Sequence, residues 1–143
     1  MKLGFGALST ASPVVTKRVR ILAIDDSEEF RRILKELLDG EKFEVIAIGG
    51  PVKALELYAR EKDNIDLVLL DYFMPQLDGV KTLEWLRKLN PNVKIVICSG
   101  GDALLLRRIV AEYHADGYVQ KPFSVEELRE QIEEVIQSLG IAA

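Results

Sequence analysis

The chain has 143 residues, 48% hydrophobic and 29% charged, with 19 Lys+Arg against 23 Asp+Glu and a formal net charge of −4. That length fits one domain able to bury about two-thirds of its unfolded surface without disulfides or a structural metal, and the acidic balance is a poor match for direct nucleic-acid binding. The single cysteine, Cys98, excludes an internal disulfide and a cysteine-cluster zinc site and fits a reducing cytoplasm, while no apolar run reaches the ~20 residues of a membrane helix.

Residues 1–17, rich in Gly, Ala, Ser and Thr without a sustained period, read as a flexible extension ahead of a domain spanning 18–143. Val19–Ile24 is β-rich and nearly all apolar, as a strand covered on both faces should be. Asp26 or Ser27 caps the next helix, with Glu29 at capping-box spacing from Asp26. Phe30, Ile33, Leu34, Leu37 and Leu38 form one helical stripe, which Gly40 ends. Phe43–Ile48 is a second strand, and Pro51 stands at the first position of a helix over Val52–Lys62. Ile65–Leu70 is a strand abutting Asp71, and Val80–Leu89 is a helix closed by Asn90-Pro91. Val93–Cys98 is the fourth strand, followed by a helix over Asp102–Tyr113 for which Ser99 is a candidate cap. Gly117–Val119 is a short strand, and Ser124–Leu139 a last helix opened by the Ser124/Glu127 capping box, with Leu128, Ile132, Val135, Ile136 and Leu139 on its apolar face. Five strands alternating with five helices predict a single (βα)5 α/β domain with a parallel sheet.

In an open parallel sheet, ligands bind beyond the carboxyl ends of the strands. The residues at that address are Asp25-Asp26, Gly49-Gly50, Asp71, Ser99-Gly100-Gly101 and Lys121-Pro122. Carboxylates about 5 Å apart repel by roughly 3 kcal/mol at an effective dielectric near 20, so three of them call for a cation. An all-oxygen donor set without His or Cys favours Mg²⁺ over Ca²⁺. Beside it, Asp71 is placed to attack phosphorus and form an acyl phosphate. Ser99 would hydrogen-bond the phosphoryl group and Lys121 would neutralise one of its oxygens.

These residues, with the Leu69-Leu70-Asp71-Tyr72-Phe73-Met74-Pro75 run, Asp78-Gly79 and Tyr118-Val119-Gln120-Lys121-Pro122-Phe123, resemble the receiver domain of two-component response regulators over about Val19 to Leu139. The likeness is to stand-alone, chemotaxis-regulator-like receivers, and no output segment is expected after Leu139. The resemblance implies a flavodoxin-like sheet of order 2-1-3-4-5 with helices on both faces. It implies phosphorylation of Asp71 by a sensor histidine kinase or a phosphotransfer protein, with Mg²⁺ held by Asp25, Asp26, Asp71 and the backbone carbonyl of Phe73. It further implies a switch made of Ser99 and a rotating Tyr118, and a cis Lys121–Pro122 bond. The output surface would lie on the fourth helix, fifth strand and last helix, with Leu104, Arg107 and Arg108 facing an unidentified partner or a second copy. The chain would be a monomer or a phosphorylation-dependent homodimer. Its chemistry would be limited to self-phosphorylation and autodephosphorylation.

Five positions depart from the common pattern: Ser99 replaces a more frequent Thr, Gly100-Gly101 opens the site to water, Phe73 is bulky, and His114 stands where Gly often precedes the last strand. A phospho-independent interaction module is the alternative function. A haloacid-dehalogenase-type phosphohydrolase would need an acid two residues after the nucleophile, where Phe73 stands. A flavodoxin-like electron carrier would need a phosphate loop where this chain has Asp25-Asp26-Ser27-Glu28-Glu29.

Overall fold

The computed structural model describes residues 17–74 and 78–138. Residues 1–16 of the expected 1–17 extension, Pro75 and Leu139 lie outside the described residues. In chain order the elements are β1 (Val19–Ile24), α1 (Glu28–Leu38), β2 (Phe43–Ile48), α2 (Pro51–Glu61), a 3-10 turn (Lys62–Asn64), β3 (Leu67–Leu70), α3 (Gly79–Leu89), β4 (Ile95–Ser99), α4 (Ala103–Tyr113), β5 (Gly117–Gln120) and α5 (Val125–Gln137). All strand pairs are parallel, in the order β2-β1-β3-β4-β5. This is the flavodoxin-like 2-1-3-4-5 arrangement that the resemblance implied.

Alternation along the strands divides the interior into two cores. Val19, Ile21 and Ala23 of β1 face α1 and α5, meeting Leu34, Leu38, Leu128, Ile132 and Ile136. Leu22 and Ile24 face the other way, toward Ala54, Tyr58, Leu83, Leu86, Leu106 and Ile109 of α2, α3 and α4. Tyr58 is fully buried, and its hydroxyl accepts from Asn90 Nδ2 at 3.0 Å, which removes the penalty of burying a polar group. Register aligns the strand ends: Ile24 pairs with both Ile48 and Leu70, Leu70 with Ile97, and Ser99 with Gln120. The residues just past those ends therefore share one edge of the sheet.

Several local readings shift by a residue or a role. Ser27, not Asp26, caps α1, accepting from the Phe30 amide at 3.1 Å, and Asp26 is left exposed. The α1 stripe is narrower than read, because Ile33 is 39% exposed. β3 starts at Leu67 because the 3-10 turn takes up the chain to Asn64 and Asp66 Oδ2 accepts from the Arg20 amide at 2.9 Å. β4 runs on to Ser99, which therefore belongs to the ladder, and Asp102 caps α4 by accepting from the Leu105 amide. The Ser124/Glu127 capping box of α5 forms in both directions. His114 ends α4 in the left-handed region at φ 58°, the one non-glycine with positive φ among the described residues, so the turn keeps the geometry glycine would supply.

Candidate functional site

Asp25 is the first residue beyond β1, and its amide donates to Ile48 O at 3.2 Å. Its carboxylate is almost completely buried, yet every oxygen has a partner. Oδ1 accepts from the Ser27 amide at 2.9 Å, and Oδ2 from Lys121 Nζ at 2.7 Å. Asp71 stands in the same position after β3, where its amide donates to Ile24 O at 2.9 Å and its Oδ1 accepts from the Phe73 amide at 3.2 Å. Asp71 is buried as well, whereas Asp26 faces solvent. One oxygen from each of Asp25, Asp26 and Asp71 lies within 4.8 Å of the others, a grouping able to hold a metal ion.

Burial pushes the Asp71 carboxyl up to about 6. Lys121 and the Phe73 amide pull it down, while Asp25 and Asp26 push it further up. Desolvation outweighs the nearby ammonium of Lys121, which is bonded to Asp25 and has its Nζ 3.8 Å from the centroid of the Phe30 ring. Phe30 is itself braced edge-on by Phe123 at 5.7 Å. The Lys121 amide donates to Ser99 O at 2.8 Å, and the Lys121–Pro122 peptide is cis, as the resemblance implied. Ser99 is fully buried, and its hydroxyl has no partner among the described residues. A buried hydroxyl without a partner calls for an explanation, and an acceptor bound at this edge of the sheet would supply one.

Every residue read from the sequence as chemical thus lies at one edge of the sheet. Tyr118 pairs with Ile97 two residues before the Ser99–Gln120 pair, so it shares a sheet face with Ser99. It is half-buried against the core that includes Leu106 and Ile109. Phe73 is 52% exposed, meets Tyr72 edge-on at 4.9 Å, and its ring lies beside Gly101. Leu104 is 63% exposed, with Arg107 and Arg108 also exposed. Beside them Ala103, Tyr118, Glu127, Glu130 and Glu134 line a shallow depression of about 330 Å³. A roomier groove of about 780 Å³ lies between α3 and α4 among Arg87, Lys88 and Tyr113, and contains none of the carboxylate cluster.

Two site residues escaped the sequence reading. Phe30 was assigned to the core stripe, but its ring face carries the Lys121 ammonium. Arg31 belongs to no motif in the sequence, yet its Nη1 donates to the Asp25 carbonyl at 2.9 Å. The available signal was its place one turn into α1, since helical side chains lean back toward the N-terminus and a long one there overhangs the preceding loop.

A doubly wound sheet of order 2-1-3-4-5, with carboxylates, a hydroxyl and an ammonium at its carboxyl edge, defines a small class of α/β domains. The family model of the response regulator receiver domain matches residues 21–133, and the chain belongs to that family. It is 38% identical over 118 residues to the transcriptional regulatory protein CpxR of Escherichia coli, covering 82% of this chain and 49% of CpxR. It is 34% identical over 119 residues to the response regulator MprA of Mycobacterium leprae, covering 83% of this chain and 51% of that protein. The chain therefore spans about half the length of these relatives. Among solved structures, a response regulator receiver domain protein from Clostridium thermocellum superposes with a TM-score of 0.79 at 26% identity, covering 85% of this chain and 97% of the other. A CheY-like receiver domain protein from Methanospirillum hungatei gives 0.75 at 28% identity, covering 85% and 96%.

Proposed function

We propose that this receiver domain, comprising residues 18–143, is a phosphorylation-activated switch in which Asp71 accepts a phosphoryl group from a histidine kinase or phosphotransfer protein. The observation that carries this reading is the pairing of a buried Asp71 with a buried, unpartnered Ser99 hydroxyl beside two further carboxylates. The donor set fits Mg²⁺, a hard cation that takes oxygen ligands; Asp25, Asp26, Asp71 and the Phe73 carbonyl would hold it. When bound, Mg²⁺ would offset the carboxylate charge and stabilise negative charge on the phosphoryl oxygens.

The chain's own residues do the rest. A carboxylate oxygen of Asp71 attacks phosphorus; the new O–P bond forms as the N–P bond of the donor histidine breaks, and the imidazole nitrogen keeps the electron pair. Ser99 Oγ–H donates to one phosphoryl oxygen. Lys121 Nζ exchanges its bond to Asp25 for one to another phosphoryl oxygen. Tyr118 and Ser99 share a sheet face, so inward movement of Ser99 opens space for Tyr118, and the change reaches α4 and the surface of Leu104, Arg107 and Arg108. An output protein, or a second copy of the domain, reads that surface. No described helix is long and apolar enough to cross a membrane, and a cytoplasmic site of action accords with a histidine-kinase donor.

Incubation with a small acyl phosphate and Mg²⁺, followed by intact-mass measurement, tests this. Wild type should gain one phosphoryl group, ~80 Da, and Asp71→Asn should gain none. No gain in wild type would favour the phospho-independent interaction module, and an undiminished gain in Asp71→Asn would place the acceptor elsewhere.

A further inference from the structure

Arg31 stands one turn into α1, and the hydrogen bond its guanidinium makes is to a backbone carbonyl, that of Asp25, at 2.9 Å. The choice is informative because that carbonyl belongs to the peptide joining Asp25 to Asp26. A peptide is planar, so a bond to its oxygen restrains the orientation of the whole unit and with it the rotations at Asp25 and Asp26 that set where their side chains leave the backbone. The same turn is tied on its other side by the Asp25 amide to Ile48 O, and ahead by the Ser27 amide to Asp25 Oδ1.

The guanidinium also has a built floor. β2 runs beside β1 with Ile48 opposite Ile24, which brings Gly49 alongside Asp25. A Cβ on Gly49 would lie 2.6 Å from Arg31 Nη1 and 2.9 Å from its Cζ, closer than carbon can approach. Gly49 does not adopt a positive φ, so its lack of a side chain serves space rather than backbone conformation.

We infer that Arg31, seated on Gly49, is a positioning residue that aims Asp25 and Asp26 at the metal position, an inference that rests on the proposed Mg²⁺ site. It makes a prediction opposite in sign to plain electrostatics. Removing a cation near a dication should tighten binding by Coulomb's law. Removing a support of the ligands should weaken it, by about 10-fold for groups of this kind.

The test uses the whole chain and Mg²⁺ itself. Magnesium affinity is measured by calorimetry for wild type, Arg31→Ala, Gly49→Ala and the double variant, and amide exchange of Asp25–Ser27 is followed in EDTA. Gly49→Ala keeps the charge and evicts the guanidinium, since only the end of a flexible side chain obstructs the new methyl. Both single variants should bind Mg²⁺ about 10-fold more weakly and exchange faster at Asp25–Ser27, and the double variant should be no worse than the weaker single. Unchanged or tighter binding in Arg31→Ala would overturn the inference, as would additive losses in the double variant. If wild type itself fails to bind Mg²⁺, the metal reading fails and this inference falls with it.

Discussion

Replacing Asp71 by Asn removes an ionisable group that the metal-free fold holds against its preference. Burial raises the Asp71 carboxyl from the ordinary 3.8 to about 6, with Asp25 and Asp26 adding to the rise and Lys121 opposing it. The folded protein therefore binds this proton more tightly than the unfolded chain does. Between about pH 4 and pH 6 the native state carries more protons, so stability falls as pH rises through that window and levels off above it. A rise of this size corresponds to about 3 kcal/mol, an upper value for the ionised state. The substituted amide would retain an oxygen for the Phe73 amide and carry no charge. In urea unfolding with EDTA at pH 7.5, Asp71→Asn should be the more stable protein by up to about 3 kcal/mol, and the gap should close near pH 4. Adding Mg²⁺ should reverse the trend, since wild type gains RT ln(1 + [L]/Kd) and the variant gains less. Stabilities of wild type and Asp71→Asn that run parallel from pH 4 to 7.5 in EDTA would refute the reasoning. Asp26→Asn should give a smaller gain than Asp71→Asn, because Asp26 is exposed and solvent screens its share of the repulsion.

Ser99→Ala should be at least as stable as wild type, by up to about 1 kcal/mol in urea, because it deletes a buried hydroxyl with no partner among the described residues, and it should slow the mass gain from an acyl phosphate. Gly79→Ala should destabilise the fold by more than about 2 kcal/mol in urea unfolding, since the new methyl would lie 2.6 Å from Tyr72 Cα and 2.7 Å from Tyr72 O, backbone that cannot swing aside. Leu104→Glu should leave the phosphorylation rate unchanged and stability within about 0.5 kcal/mol while weakening phosphorylation-dependent association, and amide-exchange changes confined to Asp71–Gly79 would refute this output route.

The fold was legible because each apolar segment ends at a residue that cannot continue it. Pro51, the Asn90-Pro91 pair and the Ser124/Glu127 box mark boundaries by steric or hydrogen-bonding necessity. The acidic edge was legible for the same reason: once the strands are parallel, Asp25, Asp71, Ser99 and Lys121 have one place to meet. The unread parts depend on distances between elements that sequence spacing does not encode. Ser27 and Asp26 are equally good caps on paper, and the metal cluster claims one of them. Phe30 fits the α1 stripe, and only the approach of the turn carrying Lys121 turns its ring into a cation platform. Arg31 has its role because β2 brings Gly49 beside Asp25, a register fact invisible in the chain.

The unmodified site also explains why a phosphoryl group is a sufficient trigger under the proposed function. Lys121 is bonded to Asp25 and lies over the Phe30 ring, and the Ser99 hydroxyl bonds nothing among the described residues. A phosphoryl group on Asp71 brings a charge near −2 and three acceptor oxygens into this buried setting. It gives Ser99 its first partner and offers Lys121 a stronger one, and hydrogen bonds to charged groups contribute about 1.5–3 kcal/mol each. A 20-fold change in partner affinity requires only about 1.8 kcal/mol of coupling. Part of the gain goes into moving β4 and β5, which are joined here by the Lys121 amide and Ser99 O. That linkage directs the movement: Ser99 cannot shift without pulling on the strand that carries Tyr118, and Tyr118 packs in the core with Leu106 and Ile109 of α4. Under the proposed function, the residues that would bind the phosphoryl group are therefore the same ones that would move α4.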